Sequence, residues 1–557
     1  MTFANDAYRL DFAANGRYAT LASVDGRPLL TLSLLAALDT VDAVDETLAV
    51  SPAERRDATF VVERRSTLWE RAWLELRCLD TCIEVQSFVR GRGAIADVRL
   101  LGGRSLIRGA PLGHASSRSP LPTLFTPNPE DGAGHVRPVA EGTAIGVVGD
   151  GEPGRGRWLF TPAPLYIALG DGTVWLDLGV AAPVGELRFA ELVLETIVNG
   201  FFLTLDYDGR TSVDGEFAAP ALVVTPNVSD PHAGLRRHRN DLAARAAAPA
   251  PQPRESPDWW SEPIFCGWGA QCHLEIAEGG LARDYATQER YDGFLSRLEE
   301  HGLVPRTIVL DDKWQATYGG NEPDTAKWPD LRGWIAERHA RGGHVLLWWK
   351  AWDPEGLPDE LCVTNPDGEA VGFDPGNQAA RAELHAIVTR MLGPDGLDAD
   401  GLKVDFTART PTGRALTSSG GTSGIAALHE LLAVVYAAAK EAKPDALVIT
   451  HTPHPSFVDV TDMIRLNDMI SGDVVVQMAA RAEIVRAACP ELPIDTDDWR
   501  IPDKHSWREF LEAKAELGVP SLYYATHLDA TGEELDADDY AALRRAWDAW
   551  RARSQAA

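Results

Sequence analysis

Asp405 is the first residue whose surroundings suggest chemistry, because Lys403 lies two positions before it. The segment 401–406, Gly-Leu-Lys-Val-Asp-Phe, has the apolar character of a buried strand, and alternation along a strand places both side chains on one face. A neighbouring lysine stabilises the ionised form of a carboxylate, which a nucleophile requires. A structural ion pair at a strand end would use the same two residues, so this motif alone fits either interpretation.

A second carboxylate, Asp468, comes three residues after Arg465 in the segment Arg-Leu-Asn-Asp. Two carboxylates that face one another can divide the work of a retaining glycosidase. One attacks the anomeric carbon, and the other protonates the leaving oxygen and later deprotonates water. A plain salt bridge in a strand-end loop is the alternative for this motif.

Adjacent carboxylates also occur at Asp311 and Asp312, and Trp314 follows them closely. Carboxylates accept hydrogen bonds strongly, so this group suits sugar hydroxyls, with an aromatic stacking surface beside it. A solvated acidic turn before a helix would look the same. Trp348 belongs to another aromatic group at a strand end, where flat apolar faces can pack either against sugar rings or in the core.

A different enzyme class would use His451 and His454 together with Asp495, Asp497 and Asp498 as the metal site of a barrel hydrolase. The loose His-Thr-Pro-His spacing weighs against it, because the proline breaks any helix that would align the two histidines. A non-catalytic sugar-binding protein on the same fold is a third interpretation. The retention of two carboxylates on facing strands weighs against that one.

These residues need strands to position them, and the second half of the chain supplies eight candidates. Short apolar runs alternate there with longer amphipathic segments, which is typical of repeated βα units. We predict a (β/α)8 TIM barrel, in which chemistry gathers at the carboxyl ends of the strands. The candidate strands are 264–269, 306–312, 344–349, 401–406, 446–451, 462–468, 492–498 and 520–526.

The first half of the chain has a different texture, with short alternating runs broken by Gly, Pro, Asn and Asp. We predict an N-terminal antiparallel β-sandwich at 1–235. A short helical stretch and a Pro/Ala-rich segment at 236–257 should form a linker. The catalytic barrel should then occupy 258–557.

Composition excludes several classes of function. The 557 residues carry 82 acidic and 53 basic side chains, and the formal charge of -29 disfavours nucleic acid and anionic membranes as partners. No export signal or long apolar segment is visible, so we expect a cytoplasmic protein. Six scattered cysteines should be reduced and buried. The sequence leaves open whether the protein forms a homo-oligomer.

Taken together, four motifs resemble the α-galactosidase families of retaining glycoside hydrolases, closest to glycoside hydrolase family 36. The segment Leu-Asp-Asp-Lys-Trp-Gln at 310–315 looks like the family's Asp-Asp-x-Trp-Gln element, and 328–349 looks like its Pro-Asp-Leu helix and Gly-x-Trp strand. The segment 402–406 matches its Lys-x-Asp nucleophile strand, and 464–468 resembles its arginine and acid/base segment. The order of the four matches that of the family, over about 258–530.

The resemblance implies an exo-acting α-galactosidase with Asp405 as nucleophile and Asp468 as acid/base. Some relatives place the acid four residues after the arginine, whereas Asp468 lies three after Arg465, and Asp473 is a fallback. Another α-glycoside, such as one of N-acetylgalactosamine or arabinopyranose, and a transglycosidase reaction remain alternatives. The partner should be an α-glycoside or oligosaccharide, with no cofactor and no metal. The residues predicted to bind the sugar are Asp311, Asp312, Trp314, Trp348, Lys403, Arg465 and Trp268.

Overall fold

A computed structural model describes residues 1–105, 114–129, 132–148, 159–254, 256–469 and 472–554. The first half of the described chain is antiparallel β, and the second half alternates strands with helices. This change of texture agrees with the sequence pattern.

The first half contains one small sheet and one large, strongly curled sheet. Strands β1 to β4 form a four-stranded antiparallel sheet, and β5 to β21 pair into the curled sheet. The strands are β1 Thr2–Ala4, β2 Tyr8–Phe12, β3 Tyr18–Ser23, β4 Pro28–Ser33, β5 Ala37–Thr40, β6 Glu46–Val50, β7 Glu54–Arg56, β8 Thr59–Ser66, β9 Arg71–Cys78, β10 Ile83–Arg99, β11 Gly102–Ser105, β12 His114–Ser116, β13 Thr123–Phe125, β14 Val136–Pro138, β15 Thr143–Gly146, β16 Tyr166–Gly170, β17 Trp175–Ala181, β18 Phe189–Ile197, β19 Gly200–Tyr207, β20 Ser212–Ala218 and β21 Ala221–Val228.

Strand β10 holds the curled sheet together, because it pairs along its length with β5, β9, β19, β20 and β21. Gly93 lets β10 approach β5 closely, because a Cβ at this position would lie 2.7 Å from the Thr40 Cγ2 atom. A bulge between Ile95 and Asp97 bends the strand. Pairing therefore runs continuously through strands β5 to β21, and the predicted β-sandwich is not confirmed.

Helix α1, Pro231–Ala244, leads from the curled sheet to the second half and begins before the predicted linker start at 236. The Asp230 side chain caps it by accepting from the Ala233 N–H at 2.8 Å. Its buried Arg239 donates to Glu491 of the second half at 2.7 Å. The helix is thus fixed to both halves of the molecule.

Eight parallel strands of the second half form a nearly closed barrel. Seven of them lie within the predicted segments, and β24 extends one residue beyond its predicted end at 349. Their order is β30-β29-β28-β27-β24-β23-β22-β31, and a single parallel bridge between Asp495 and Val519 joins the two ends. The barrel strands are β22 Ile264–Cys266, β23 Thr307–Leu310, β24 His344–Lys350, β27 Gly401–Asp405, β28 Leu447–Thr450, β29 Met463–Arg465, β30 Ile494–Asp495 and β31 Ser521–Leu522, with a hairpin of β25 Cys362–Thr364 and β26 Ala370–Phe373 outside the barrel.

Alternation along the strands decides which side chains point into the barrel. Ile264, Val309, Leu346, Ile449 and Met463 pack together inside it. The same alternation also brings polar residues nearer the carboxyl ends of β24, β27 and β29 to the inner face. The sequence therefore delivers charged side chains to the barrel mouth above an apolar floor.

The helices depart from strict alternation at one unit. Strand β28 is followed by a 3₁₀ turn, Pro455–Phe457, and by no α-helix before β29, whereas β22 is followed by two. Proline lacks the backbone N–H that a helix interior needs, and Pro453 and Pro455 both fall in this short connection. The helices are α2 Trp268–Glu278, α3 Gln288–Glu300, α4 Leu331–Ala340, α5 Gln378–Leu392, α6 Gly424–Ala442, α7 Val474–Ala488, α8 Lys504–Leu517 and α9 Ala537–Ser554.

The curled sheet docks against the carboxyl ends of the barrel strands. Asn467 Nδ2 donates to the Leu159 carbonyl at 2.8 Å. The Thr161 hydroxyl bonds the Thr407 hydroxyl, which in turn bonds His451 Nε2 at 2.8 Å. Loops of the first half therefore lie over the barrel mouth.

All six cysteines are buried and free of disulfides, as predicted. Among the described residues, no helix combines the length and the apolar character needed to cross a bilayer.

Candidate active site

A cavity of about 330 Å³ opens at the carboxyl ends of the barrel strands. Barrel residues form its floor and most of its walls, and loops of the curled sheet complete it. The described residues that line it are Pro129, His135, Leu159, Trp268, Asp311, Asp312, Trp348, Lys403, Asp405, Phe406, Asp468, Gln477, Arg481 and Trp499.

Asp405 ends strand β27 and is held at one side of the cavity. Its Oδ2 accepts from the Trp348 indole at 3.2 Å, and its Oδ1 accepts from Arg465 Nη2 at 3.1 Å. Burial opposes ionisation of this carboxyl, but the charges of Arg465, His451 and Lys403 outweigh burial and hold its pKa well below the usual range. Asp405 is therefore ionised, and 21% of its side chain stays accessible from the cavity.

Asp468 lies in the loop after β29 and has the opposite electrostatic character. Its Oδ1 accepts from Arg465 Nη1 at 2.7 Å. Burial, together with the negative charges of Asp497 and Asp405, raises its pKa to about 7 despite this arginine. With 30% of the side chain accessible, Asp468 can hold a proton and present it to the cavity near neutral pH.

The Arg465 side chain is completely buried and joins three carboxylates. Besides Asp405 and Asp468, it donates through Nη1 to Asp497 at 2.7 Å. A guanidinium presents its donors in a rigid planar fork, so this contact set fixes the two cavity carboxylates relative to one another. Arg465 lies behind them rather than in the cavity lining.

The loop that carries Asp468 is clamped through its backbone. Asn467 has a φ of 67°, a left-handed conformation that asparagine tolerates better than most residues. Arg481 Nη1, on helix α7, donates to the carbonyls of Leu466, Asn467 and Asp468 at 2.9, 2.7 and 3.0 Å. These bonds satisfy carbonyls that the turn leaves outside regular structure.

A buried ion pair forms the floor of the cavity. Lys403 Nζ donates to Asp311 Oδ2 at 2.7 Å, and the Cys266 thiol donates to the same oxygen at 2.9 Å. Asp312 accepts from the Tyr318 hydroxyl at 2.8 Å, and burial raises its pKa to about 6. The two adjacent carboxylates therefore have different environments, one ion-paired and the other mainly hydrogen-bonded.

Aromatic rings surround these groups, although Trp314 is not one of them. Trp268 packs edge to face against Trp499 at 5.8 Å, and Trp348 meets Phe406 at 5.9 Å. Trp314 is fully buried, and its indole donates to the Trp348 carbonyl at 2.8 Å. Trp314, which the sequence predicts to bind the sugar, does not line the cavity, and its buried ring supports Trp348 from behind.

The structure brings together the other predicted residues and separates the fallback acid from them. Trp268, Asp311, Asp312, Trp348 and Lys403 line one cavity with the two candidate catalytic carboxylates. Asp473 is exposed and caps helix α7 by accepting from the Val476 N–H at 3.0 Å. It lies outside the cavity lining, so its position favours a structural role.

The residues of the metal hypothesis are each engaged elsewhere. His451 Nε2 bonds the Thr407 hydroxyl, and His454 caps the 3₁₀ turn. Asp495 accepts from the Ser521 hydroxyl at 2.5 Å, and Asp498 pairs with Lys514. Across the described ranges, no group of three or more His, Cys, Asp or Glu side chains converges in a way that could hold a metal ion.

Sequence reasoning missed several lining residues. Pro129, His135 and Leu159 come from loops of the curled sheet, and no local motif marks them. Gln477 and Arg481 lie on helix α7, where they look like ordinary polar helix residues. Trp499 could have been found, because it follows the acidic end of the seventh strand as Trp314 follows the second. Phe406 adjoins the predicted nucleophile.

The arrangement can perform two kinds of chemistry in one small volume. An ionised carboxylate can attack an electrophilic carbon, while a protonated carboxyl a short distance away can donate to the departing oxygen. Environments that push the pKa values of two carboxylates apart are the usual way to divide these roles.

Comparisons with known families and with curated proteins found no match. Solved structures do match. A sulfoquinovosidase of glycoside hydrolase family 31 from E. rectale, in complex with an aza-sugar inhibitor, aligns with a TM-score of 0.59 at 13% identity, covering 99% of this chain and 83% of its own.

Two further structures share the fold. An α-galactosidase from Thermus thermophilus in complex with stachyose has a TM-score of 0.52 at 14% identity, covering 86% of this chain and 97% of its own. A cycloalternan-degrading enzyme from Trueperella pyogenes has a TM-score of 0.51 at 12% identity, covering 97% of this chain and 71% of its own. The chain therefore shares its fold with these three enzymes, and the likeness does not single out family 36.

Proposed function

We propose that this protein is an exo-acting, retaining α-glycoside hydrolase, with Asp405 as nucleophile and Asp468 as acid/base. One observation carries the proposal: a single buried guanidinium joins two cavity carboxylates whose pKa values are shifted in opposite directions. This is the division of labour that double displacement needs.

In the first step, Asp405 attacks the anomeric carbon from the face opposite the leaving group and forms a covalent glycosyl ester. Asp468 gives its proton to the glycosidic oxygen, and the aglycone leaves as an alcohol. In the second step, Asp468 takes a proton from water, whose oxygen displaces Asp405 from the anomeric carbon. Two inversions give net retention. An acceptor alcohol in place of water would give transglycosylation with the same residues.

We assign the glycone to the wall formed by Asp311, Asp312, Trp348 and Lys403. Trp348 contacts the nucleophile directly, so residues beside it must meet the ring that carries the anomeric carbon. A cavity of about 330 Å³ suits one terminal sugar ring with part of its aglycone. The Asp-Asp and Lys-x-Asp motifs and the likeness to an α-galactosidase fold favour galactose.

We also propose the domain division 1–235, 236–257 and 258–557, with an N-terminal β-sandwich as its first part. Helix α1 then belongs largely to the linker and fixes the two domains to one another through the Arg239–Glu491 pair.

The decisive experiment is a panel of α-glycosyl fluorides and 4-nitrophenyl α-glycosides followed by NMR. We expect the highest kcat/KM for the α-galactoside and an α-configured first product. A β-configured first product would exclude double displacement. Activity on another sugar would keep the mechanism and replace galactose, while inactivity on every α-glycoside would overturn the proposal. Oligosaccharide products formed with an added acceptor would identify a transglycosidase.

A further inference from the structure

The side of the cavity next to Asp468 contains residues that the catalytic steps do not use. Under the proposed function, the acid/base lies beside the glycosidic oxygen, so its neighbours must meet the aglycone. Arg481 lines the cavity and bonds the Asp468 carbonyl. His135 of the curled sheet lines the same cavity and lies near enough to Arg481 to respond to its charge.

The loop of His135 is packed against the start of helix α7. A Cβ built on Gly472 would lie 3.7 Å from the Gly132 Cα atom. Helix α7 carries Gln477 and Arg481 into the cavity lining. His135 therefore lies beside helix α7 and the loop of Asp468, the side that the proposed function assigns to the leaving group.

The hydrogen bond of His135 fixes what its ring offers to a ligand. Nδ1 lies 2.9 Å from the Thr126 carbonyl, an acceptor, so Nδ1 carries the ring proton and donates. Burial lowers the pKa of His135 to about 4, and the ring is neutral at neutral pH. In the described parts of the chain, Nε2 has no hydrogen-bond partner. Nε2 is therefore an acceptor that a bound hydroxyl can satisfy.

We infer that His135 is a specificity-determining residue that selects a hydroxyl-bearing aglycone, such as a second sugar or a polyol. The inference rests on the proposed function. The ring accepts a hydrogen bond from an aglycone hydroxyl through Nε2, while Pro129, Leu159 and Trp499 supply apolar surface for the C–H groups of the same aglycone. A plain aryl or alkyl aglycone that covers the ring leaves Nε2 without a partner, which weakens binding.

The test uses two substrates with poor leaving groups of similar type, cyclohexyl and trans-2-hydroxycyclohexyl α-glycosides of the preferred sugar. Wild-type enzyme should hydrolyse the hydroxylated compound with a kcat/KM about tenfold higher, the factor that a hydrogen bond of ordinary strength contributes. Equal kcat/KM values, or a preference for plain cyclohexyl, would overturn the inference without any variant.

His135→Asn sharpens the test, because its side-chain amide can still donate to the Thr126 carbonyl while the Nε2 acceptor is gone. The ratio of the two kcat/KM values should fall to about one. Val136→Thr, on an exposed neighbour, should keep the wild-type ratio. An equal loss on both substrates in His135→Asn would indicate a purely structural role and overturn the inference. Inactivity of wild-type enzyme on every α-glycosyl fluoride would instead be the failure of the proposed function.

Discussion

The two walls of the cavity are built in different ways. The wall beside Asp405 belongs to the barrel alone and combines the Lys403–Asp311 ion pair at its floor with hydrogen-bonded side chains near the strand ends. The wall beside Asp468 is shared between the barrel and the curled sheet. Its contacts are side-chain bonds to backbone carbonyls, such as those of Arg481 and Asn467.

The difference separates two tasks. Strand ends of a barrel are rigid, so charged groups on them can be fixed at the positions that a sugar ring and its attacking carboxylate need. A wall assembled from loops can change its lining without moving those groups. We therefore expect changes at the first wall to affect every substrate and changes at the second wall to depend on the leaving group.

Asp405→Asn should have the largest effect, because it removes the nucleophile from the wall beside Asp405. The amide keeps the shape of the side chain but cannot attack, so we expect a loss of roughly 10⁴-fold or more on all substrates. Azide should restore part of the rate and give a β-glycosyl azide, which NMR identifies. A variant that keeps a large share of wild-type turnover would remove Asp405 from the nucleophile role.

Asp468→Asn should show the leaving-group dependence. Without a proton donor, glycosides with poor leaving groups should lose roughly 10² to 10⁴-fold, whereas α-glycosyl fluorides need no proton and should lose far less. Azide should speed release of the glycosyl enzyme with retained configuration. Rates across a series of aryl α-galactosides measure the effect. A uniform loss along that series would transfer the acid/base role to another carboxylate.

Arg481→Met should resemble a weaker form of the acid/base variant. Removal of the three bonds to the carbonyls at 466–468 frees the loop of Asp468, and we expect a loss of about tenfold to a hundredfold that grows as the leaving group becomes poorer. Arg481→Lys is the matched variant, which keeps the positive charge but lacks the planar guanidinium. A loss that is independent of the leaving group would assign Arg481 a general structural role.

Asp497→Asn should alter the pH profile more than the maximal rate. Asp468 must be protonated to act as an acid, so kcat/KM should fall as the pH rises through about 7. The charge of Asp497 helps to raise the pKa of Asp468. Its removal should shift the high-pH fall of kcat/KM toward lower pH by roughly one unit. Asp495→Asn, which removes a carboxylate that does not bond Arg465, is the control. If the fall of kcat/KM in Asp497→Asn stayed at the same pH or moved to higher pH, the role of Asp468 as the acid would be contradicted.

Chelation should have the smallest effect. The cavity carboxylates are already bound by Arg465, Lys403 and neutral donors, so we expect EDTA to leave kcat/KM unchanged. Loss of activity with EDTA and its return with zinc or manganese would reinstate the metal hypothesis. Metal analysis of the purified protein provides an independent readout.

Much of the first wall could be predicted from sequence, because its residues come from strand ends with short, directional patterns. The alternation of Lys403 and Asp405 on one strand is sufficient to place both at the mouth. Trp314 differs from these residues, since the chain turns after Asp312 and its ring is buried in the core outside the cavity lining. The spacing of the residues in the sequence does not predict that turn.

The second wall was largely invisible to sequence reasoning. His135 and Leu159 lie far from the barrel in sequence, and only the docking of the two halves brings them to the cavity. The continuity of the curled sheet was missed for a related reason, because it depends on how β10 bends and pairs with five partners. Local alternation predicts strands but not their long-range pairing.

The docking contacts beside the nucleophile also bear on folding. Thr161 of the curled sheet bonds Thr407, two residues after Asp405, and Leu159 bonds Asn467, one residue before Asp468. The complete pocket exists only after both halves have folded and associated. A ligand that fills it binds the associated state alone, so by mass action it must stabilise association itself. Occupancy by substrate and the cohesion of the whole chain are then thermodynamically linked.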